Sequence, residues 1–239
     1  MKNPLQILKK HTGIIAAICL PVILASCNKI TNNVNPSPIA ALAVIDVSPD
    51  APAFDFYFGS TQINTVPLVY GSGISYFQEN AGEVALGFYN EGTTTKVVGD
   101  TINLKANTSN TLFLTNLIAK HDFLYLTDTL NQPATNIATI RFVDVSPDAP
   151  AVDFVIKGGA VLATNRTYKT YTSFMTITPK VNDTLEVLQS GTTTVLASVP
   201  TITITSNEIY TVWLYGLANT TVASEKLAAG AMTNFNFNY

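Results

Sequence analysis

Apolar and polar residues alternate over short stretches along much of the chain, the period of two that belongs to strands with one buried face. Phe54, Phe56 and Phe58 share a face with Asp55 and Tyr57 opposite, and Val152, Phe154 and Ile156 oppose Asp153, Val155 and Lys157. The same reading predicts strands over Glu83 to Tyr89, Thr111 to Leu117, Phe123 to Thr127, Thr184 to Gln189, Thr201 to Thr205 and Ile209 to Leu214. Gly, Asn and Pro separate these runs at spacings of roughly 8 to 12 residues, which indicates a β-sandwich. No stretch shows the recurrence of a three-turn amphipathic helix. Alternation also ends the chain, with Phe235, Phe237 and Tyr239 set against Asn234, Asn236 and Asn238. That ending reads as the closing strand of a sandwich, with the last strand of an outer-membrane barrel as the alternative.

An internal repeat organises these strands. Ile45-Asp46-Val47-Ser48-Pro49-Asp50-Ala51-Pro52-Ala53-Phe54-Asp55-Phe56 recurs 98 residues later as Val143-Asp144-Val145-Ser146-Pro147-Asp148-Ala149-Pro150-Ala151-Val152-Asp153-Phe154. The register persists in Tyr70 with Tyr168 and Tyr76 with Phe174, and slips by one at Gly92-Thr93-Thr94-Thr95 against Gly191-Thr192-Thr193-Thr194. The likeness therefore covers whole domains, placed at 40–136 and 137–239, each near the ~100 residues at which a sandwich buries its own core. The expected fold class is all-β, with two tandem Ig-like antiparallel β-sandwich domains.

The N-terminus predicts an address. Lys2, Lys9 and Lys10 precede an uncharged apolar run, Ile14 to Leu24, interrupted only by Pro21. This is the pattern of a signal peptide over residues 1–26, and it is too short for the ~20 residues of a spanning helix. Leu24-Ala25-Ser26-Cys27 resembles the lipobox of bacterial lipoproteins. The resemblance implies lipidation of Cys27 and a membrane partner through that lipid, and the polar, Asn- and Pro-rich stretch that follows reads as a tether, so that 27–39 is lipidated Cys and tether. Asn28 follows where Asp would favour inner-membrane retention, so the expected location is the cell envelope at the outer membrane. Cleavage also removes Cys19 and His11, leaving no free thiol and His121 as the one imidazole.

The repeated Ser-Pro-Asp-Ala-Pro-Ala-x-Asp-Phe resembles the hallmark of the bacterial domain-of-unknown-function family numbered 4397. The resemblance implies a sandwich fold, frequent tandem copies and an envelope setting, but no reaction. Many members carry His or Asn two residues before this motif, where Asp46 and Asp144 stand here. Physically, Pro49 and Pro147 preset a turn, Asp50 and Asp148 can accept from backbone N–H groups two residues on, and Pro52 and Pro150 stop ladder pairing. The motif thus reads as a rigid corner between strands, with Asp55 and Asp153 placed to satisfy N–H groups that the corner leaves unpaired. The second reading is a cation site, because Asp46, Asp50 and Asp55, like Asp144, Asp148 and Asp153, offer hard oxygen donors; calcium, however, takes six to eight.

Composition narrows the chemistry. Only 12% of residues are charged, with 13 Lys plus Arg against 16 Asp plus Glu and a formal net charge of −3, so no basic stripe exists for nucleic acid. No nucleophile elbow, zinc-protease motif, P-loop or dinucleotide fingerprint occurs, and no cofactor is implied. His121, between Lys120 and Asp122, reads as a solvated turn residue. Glu79, Glu83, Glu91 and Asp100 are candidates for a glycosidase carboxylate pair. Thr101, Thr129 and Thr184 each follow Asp and precede an apolar residue, resembling a short O-glycosylation acceptor pattern of some envelope bacteria. Tyr57, Tyr70, Tyr76, Tyr168 and Tyr171 are candidates for a stacking platform. The sequence thus predicts a non-catalytic binding or structural module whose partner is an envelope protein or glycan. The alternatives are a carbohydrate- or peptide-active enzyme using paired carboxylates, and a purely structural spacer.

Overall fold

The computed structural model describes residues 38–238. The first repeat contributes β1 (Ile39–Asp46), β2 (Phe54–Phe58), β3 (Thr61–Gln62), β4 (Gly73–Asn80), β5 (Gly82–Asn90), β6 (Lys96–Leu104), β7 (Ser109–Thr115) and β8 (Asp122–Asp128). The second contributes β9 (Ala138–Asp144), β10 (Val152–Ile156), β11 (Val161–Arg166), β12 (Met175–Ile177), β13 (Lys180–Gln189), β14 (Val195–Ile204), β15 (Glu208–Tyr215) and β16 (Ala228–Asn236). Two single 3-10 turns, Ile118–Lys120 and Ala223–Glu225, are the helical elements among the described residues, and none is long and apolar enough to cross a membrane.

Each repeat is an Ig-like β-sandwich of two four-stranded sheets. The orders are β4-β1-β7-β8 and β3-β2-β5-β6 in the first, and β12-β9-β15-β16 and β11-β10-β13-β14 in the second. The expectation of antiparallel sheets holds with one exception per repeat: β1 runs parallel to β7, and β9 parallel to β15. The first core is built around Phe54, Phe56, Phe88, Leu42 and Leu112, and the second around Phe142, Phe154, Leu185, Val187 and Val212. β2 shows the predicted alternation, whereas in β10 Val155 is buried and Ile156 only half-buried, against the expected faces.

A third cluster joins the two sandwiches. Ile45, Val47, Phe113, Leu124 and Leu126 of the first pack against Val143, Val145 and Trp213 of the second, with Phe113 meeting Trp213 edge to face at 5.8 Å. The sheets carrying β1 and β9 are therefore covered on both sides, and the repeats lie within one compact unit. Two-sided burial explains why β7 and β15 are buried almost continuously while β2 alternates. β16 is the edge strand of an open four-stranded sheet, as a sandwich requires. Along β16, Gly230, Met232 and Asn234 alternate onto the joining face, so Asn234 is buried against Tyr76, and the bulge between the Tyr210–Thr233 and Ile209–Phe235 pairs comes before Phe235, which is exposed.

Candidate functional site

The six motif aspartates go to separate backbone partners, and the same partners recur in both repeats. Asp46 and Asp144 are fully buried at the ends of β1 and β9, where Oδ1 accepts from the amide of Ser48 or Ser146 at 3.0 Å. Asp50 accepts from the Ile118 amide at 2.7 Å, and Asp148 from those of Ala218 at 2.7 Å and Asn219 at 3.0 Å, so each clamps the loop that follows β7 or β15 and not, as expected, an amide two residues on. Asp55 accepts from Gly92 at 2.8 Å and Asp153 from Gly191 at 3.1 Å. These two therefore hold the next hairpin's Gly-Thr-Thr-Thr turn rather than the amides of their own corner. The motif is a staple between turns, and among the described residues no group of three His, Cys, Asp or Glu side chains comes together for a metal.

Burial pushes the Asp46 carboxyl up to about 7, and the Ser48 amide that favours its charged form only partly offsets this; Asp50 nearby raises it further. Burial likewise raises Asp144 to about 7 against the opposing Ser146 amide. In each, Oδ2 is buried without a hydrogen-bond partner among the described residues. A raised carboxyl can mark a catalytic acid, but these side chains are closed to solvent.

The buried chemistry that the sequence did not announce lies between the sandwiches. Arg141 of β9, 2% exposed, pairs with Asp128 of β8 at 2.6 Å. Its Nε donates to Thr211 at 2.9 Å and an Nη to Thr111 at 3.2 Å. Thr111 donates to Asp128 at 2.7 Å, Tyr76 donates to the same oxygen, and Asn234 donates to the Tyr76 hydroxyl at 2.9 Å while accepting from Thr211 at 2.6 Å. This closes a ring across the face that joins the repeats. Thr111 faces Ala43 as Thr211 faces Arg141, so Arg141 stands where the first repeat has Ala43. Burial, first, and then the charge and hydrogen bond of Asp128 push the Tyr76 hydroxyl above its ordinary value, keeping it a neutral donor. An Arg within the run Ala138 to Val145 was the available signal, since a buried charge needs a partner.

Two grooves run along the edges where the repeats meet. One, about 500 Å³, lies between β4 and β16 over Trp213 and Tyr215, with Gly73 and Gly230 on its walls. Gly230 is required there, because a Cβ would collide with the Trp213 indole. The other, about 560 Å³, lies between the end of β8 and the segment 171–174 that leads into β12, over Arg141, and the connection 131–134 forms one wall. Among the described residues, no carboxylate lines either groove. Glu79 stands on β4 in a different sheet from Glu83 and Asp100, and across β5 and β6 Glu83 faces Asn103 while Asp100 faces Leu86. His121 is exposed; its Nδ1 meets the Ile118 carbonyl at 3.0 Å and its ring packs on Phe123.

Of the five tyrosines, Tyr171 is exposed, at 51%, and lines the second groove. Tyr57 packs on Tyr89, Tyr70 on Tyr215, and Tyr76 belongs to the ring, while Tyr168 is half-buried. They do not form one platform. Thr101 is exposed on edge strand β6, Thr129 is exposed just beyond β8, and Thr184 is half-buried within β13. Cys27 and the expected leader and tether lie outside the described residues.

Fold and site together define a tandem all-β protein whose two sandwiches are joined face to face. The domain of unknown function DUF4397 matches residues 40–155 and 138–235, and the chain belongs to this family. No curated protein matches it. Among solved structures, the family CBM26 carbohydrate-binding module of Eubacterium rectale Amy13K, in complex with maltoheptaose, is similar at 11% identity and a TM-score of 0.27. That match covers 78% of this chain and 100% of the other, and at that score it carries no argument about ligand.

Proposed function

We propose that this chain is a non-catalytic binding module of the cell envelope, held at the outer membrane by lipid on Cys27. The observation that carries the binding reading is the groove between β8 and β12: a cleft with an exposed tyrosine, whose one charged lining residue among those described, Arg141, is already paired with Asp128, on a support made rigid by the buried ring beneath it. Of the carboxylates that the enzyme alternative would pair, Glu79 stands in a different sheet from Glu83 and Asp100, and the motif carboxylates hold backbone amides. The structural-spacer reading gains from the joined sandwiches, which resist bending between the repeats.

The test uses the full chain produced in a bacterial envelope. Labelled fatty acid is expected to mark the wild type and not Cys27→Ser, and solubilised wild type is expected to retain a specific envelope protein or glycan. Absence of label sinks the anchor, and an empty capture transfers the argument to the spacer.

A further inference from the structure

The groove between β8 and β12 has a chemistry that selects a ligand class. Its floor is Arg141, whose charge is already matched by Asp128 at 2.6 Å, so no free cation awaits an anion. Phe174 lies beside that guanidinium at 4.9 Å, and Tyr171 stands exposed at the rim. On the facing wall Asn131 and Gln132 are exposed, and their amides make no hydrogen bond with the described residues. Buried Pro133 pins the segment that carries them. Thr129 and Ser173 add exposed hydroxyls.

An apolar ligand would strip water from these amides without replacing its hydrogen bonds. A carboxylate or phosphate would meet no unmatched positive charge. A sugar ring satisfies both constraints, because its hydroxyls donate and accept toward amides and hydroxyls while its C–H face packs on an aromatic ring. The cavity of about 560 Å³ falls within the span of small-molecule sites. We propose that this groove binds a short stretch of neutral saccharide, with Tyr171 as the packing surface and Asn131 and Gln132 as the polar contacts. The proposal rests on the binding-module reading and names its ligand class.

The groove between β4 and β16 is the weaker candidate. Its Tyr76 hydroxyl is engaged by Asp128 and Asn234, and the Trp213 Nε1 is buried against Gly230.

The test is calorimetric titration of the full chain, in a detergent that contains no sugar, with linear hexasaccharides of glucose, mannose and N-acetylglucosamine. Hexagalacturonate serves as the anionic comparison. At least one neutral hexasaccharide is expected to bind saturably and more tightly than hexagalacturonate. Tyr171→Ala and Asn131→Ala are each expected to weaken binding about tenfold or more, corresponding to about 1.4 kcal/mol. Their melting curves should match wild type, and Tyr57→Ala, on another sheet, should leave the affinity unchanged. Preference for the anionic sugar, or undiminished affinity in both groove variants, overturns the assignment. So does the absence of binding by every neutral sugar at about 10 mM, a concentration that detects even very weak association. If sugars fail while envelope capture recovers a protein, the saccharide falls and the binding module stands; if both fail, both readings fall.

Discussion

Asp46 and Asp144 predict an uncommon pH dependence. Each carboxyl is fully buried, each uses one oxygen on a serine amide, and each is raised by burial from 3.8 to about 7. A group raised on folding gives stability that is fully present below its unfolded value and is lost as pH rises through its folded value. From pH 5 to pH 8 both groups must ionise in the folded state, so wild-type stability should fall. A displacement of this size corresponds to about 4 kcal/mol per group if the protein does not relax, and about 2 kcal/mol if water reaches the ionised oxygen. Asp46→Asn and Asp144→Asn keep an oxygen for the serine amide and remove the charge. Each should therefore add about 2–4 kcal/mol at pH 8, and the double variant should have a nearly level profile. For Asp153, a slight desolvation that raises its carboxyl is outweighed by the amides of Asn165 and Gly191, which lower it, so it acts below this window. Urea melts at pH 5 and pH 8, read at constant slope, give the comparison directly. Wild type more stable at pH 8 than at pH 5, or a double variant that gains nothing at pH 8, would refute the reasoning.

Further substitutions test the contacts separately. Gly230→Ala drives a methyl into the Trp213 indole and should cost about 1–3 kcal/mol, visible as a lower melting temperature with altered tryptophan fluorescence. Asp148→Ala leaves the Ala218 and Asn219 amides without their acceptor and should cost about 1–3 kcal/mol, with faster amide exchange confined to that loop. Because all six motif aspartates already hold backbone amides, EDTA should leave the melting temperature unchanged, and a drop would restore the cation reading.

The repeat, the sandwich class and the corner motif were legible because each is written locally. Alternation in Phe54 to Phe58 and punctuation by Pro49 and Pro52 need no distant partner to be read. The joining face was not legible in that way, because a period of two assigns one face to the core and the other to water. In β7 and β15 both faces are buried, so the polar Thr111 and Thr211 point inward and bond to Arg141. Asn234 is buried for the same reason, since it continues the Met232 face of β16 onto the joining surface, where it meets Thr211 and Tyr76. The groove depends on the fold in the same way: Tyr171 and Asn131 are 40 positions apart, and no local pattern connects them.

The ring also explains how two similar repeats can join in a single manner. The first brings Asp128 and Ala43 to the shared face, and the second brings Asn234 and Arg141. Pairing a first repeat with another first repeat would bury two carboxylates and no cation, while pairing two second repeats would bury two guanidiniums and no anion. Either costs several kcal/mol, so divergence of a few positions selects the unlike pair. Arg141→Ala leaves Asp128 buried without its cation and should cost about 3–5 kcal/mol. Moving the cation alone, as Arg141→Ala with Ala43→Arg, should be at least as harmful, because the new Arg meets Asn234. Adding Asp128→Asn and Asn234→Asp rebuilds the pair in its mirror position and should recover most of the loss. Equal stability of the double and quadruple variants in urea melts would show that the ring does not select the pairing.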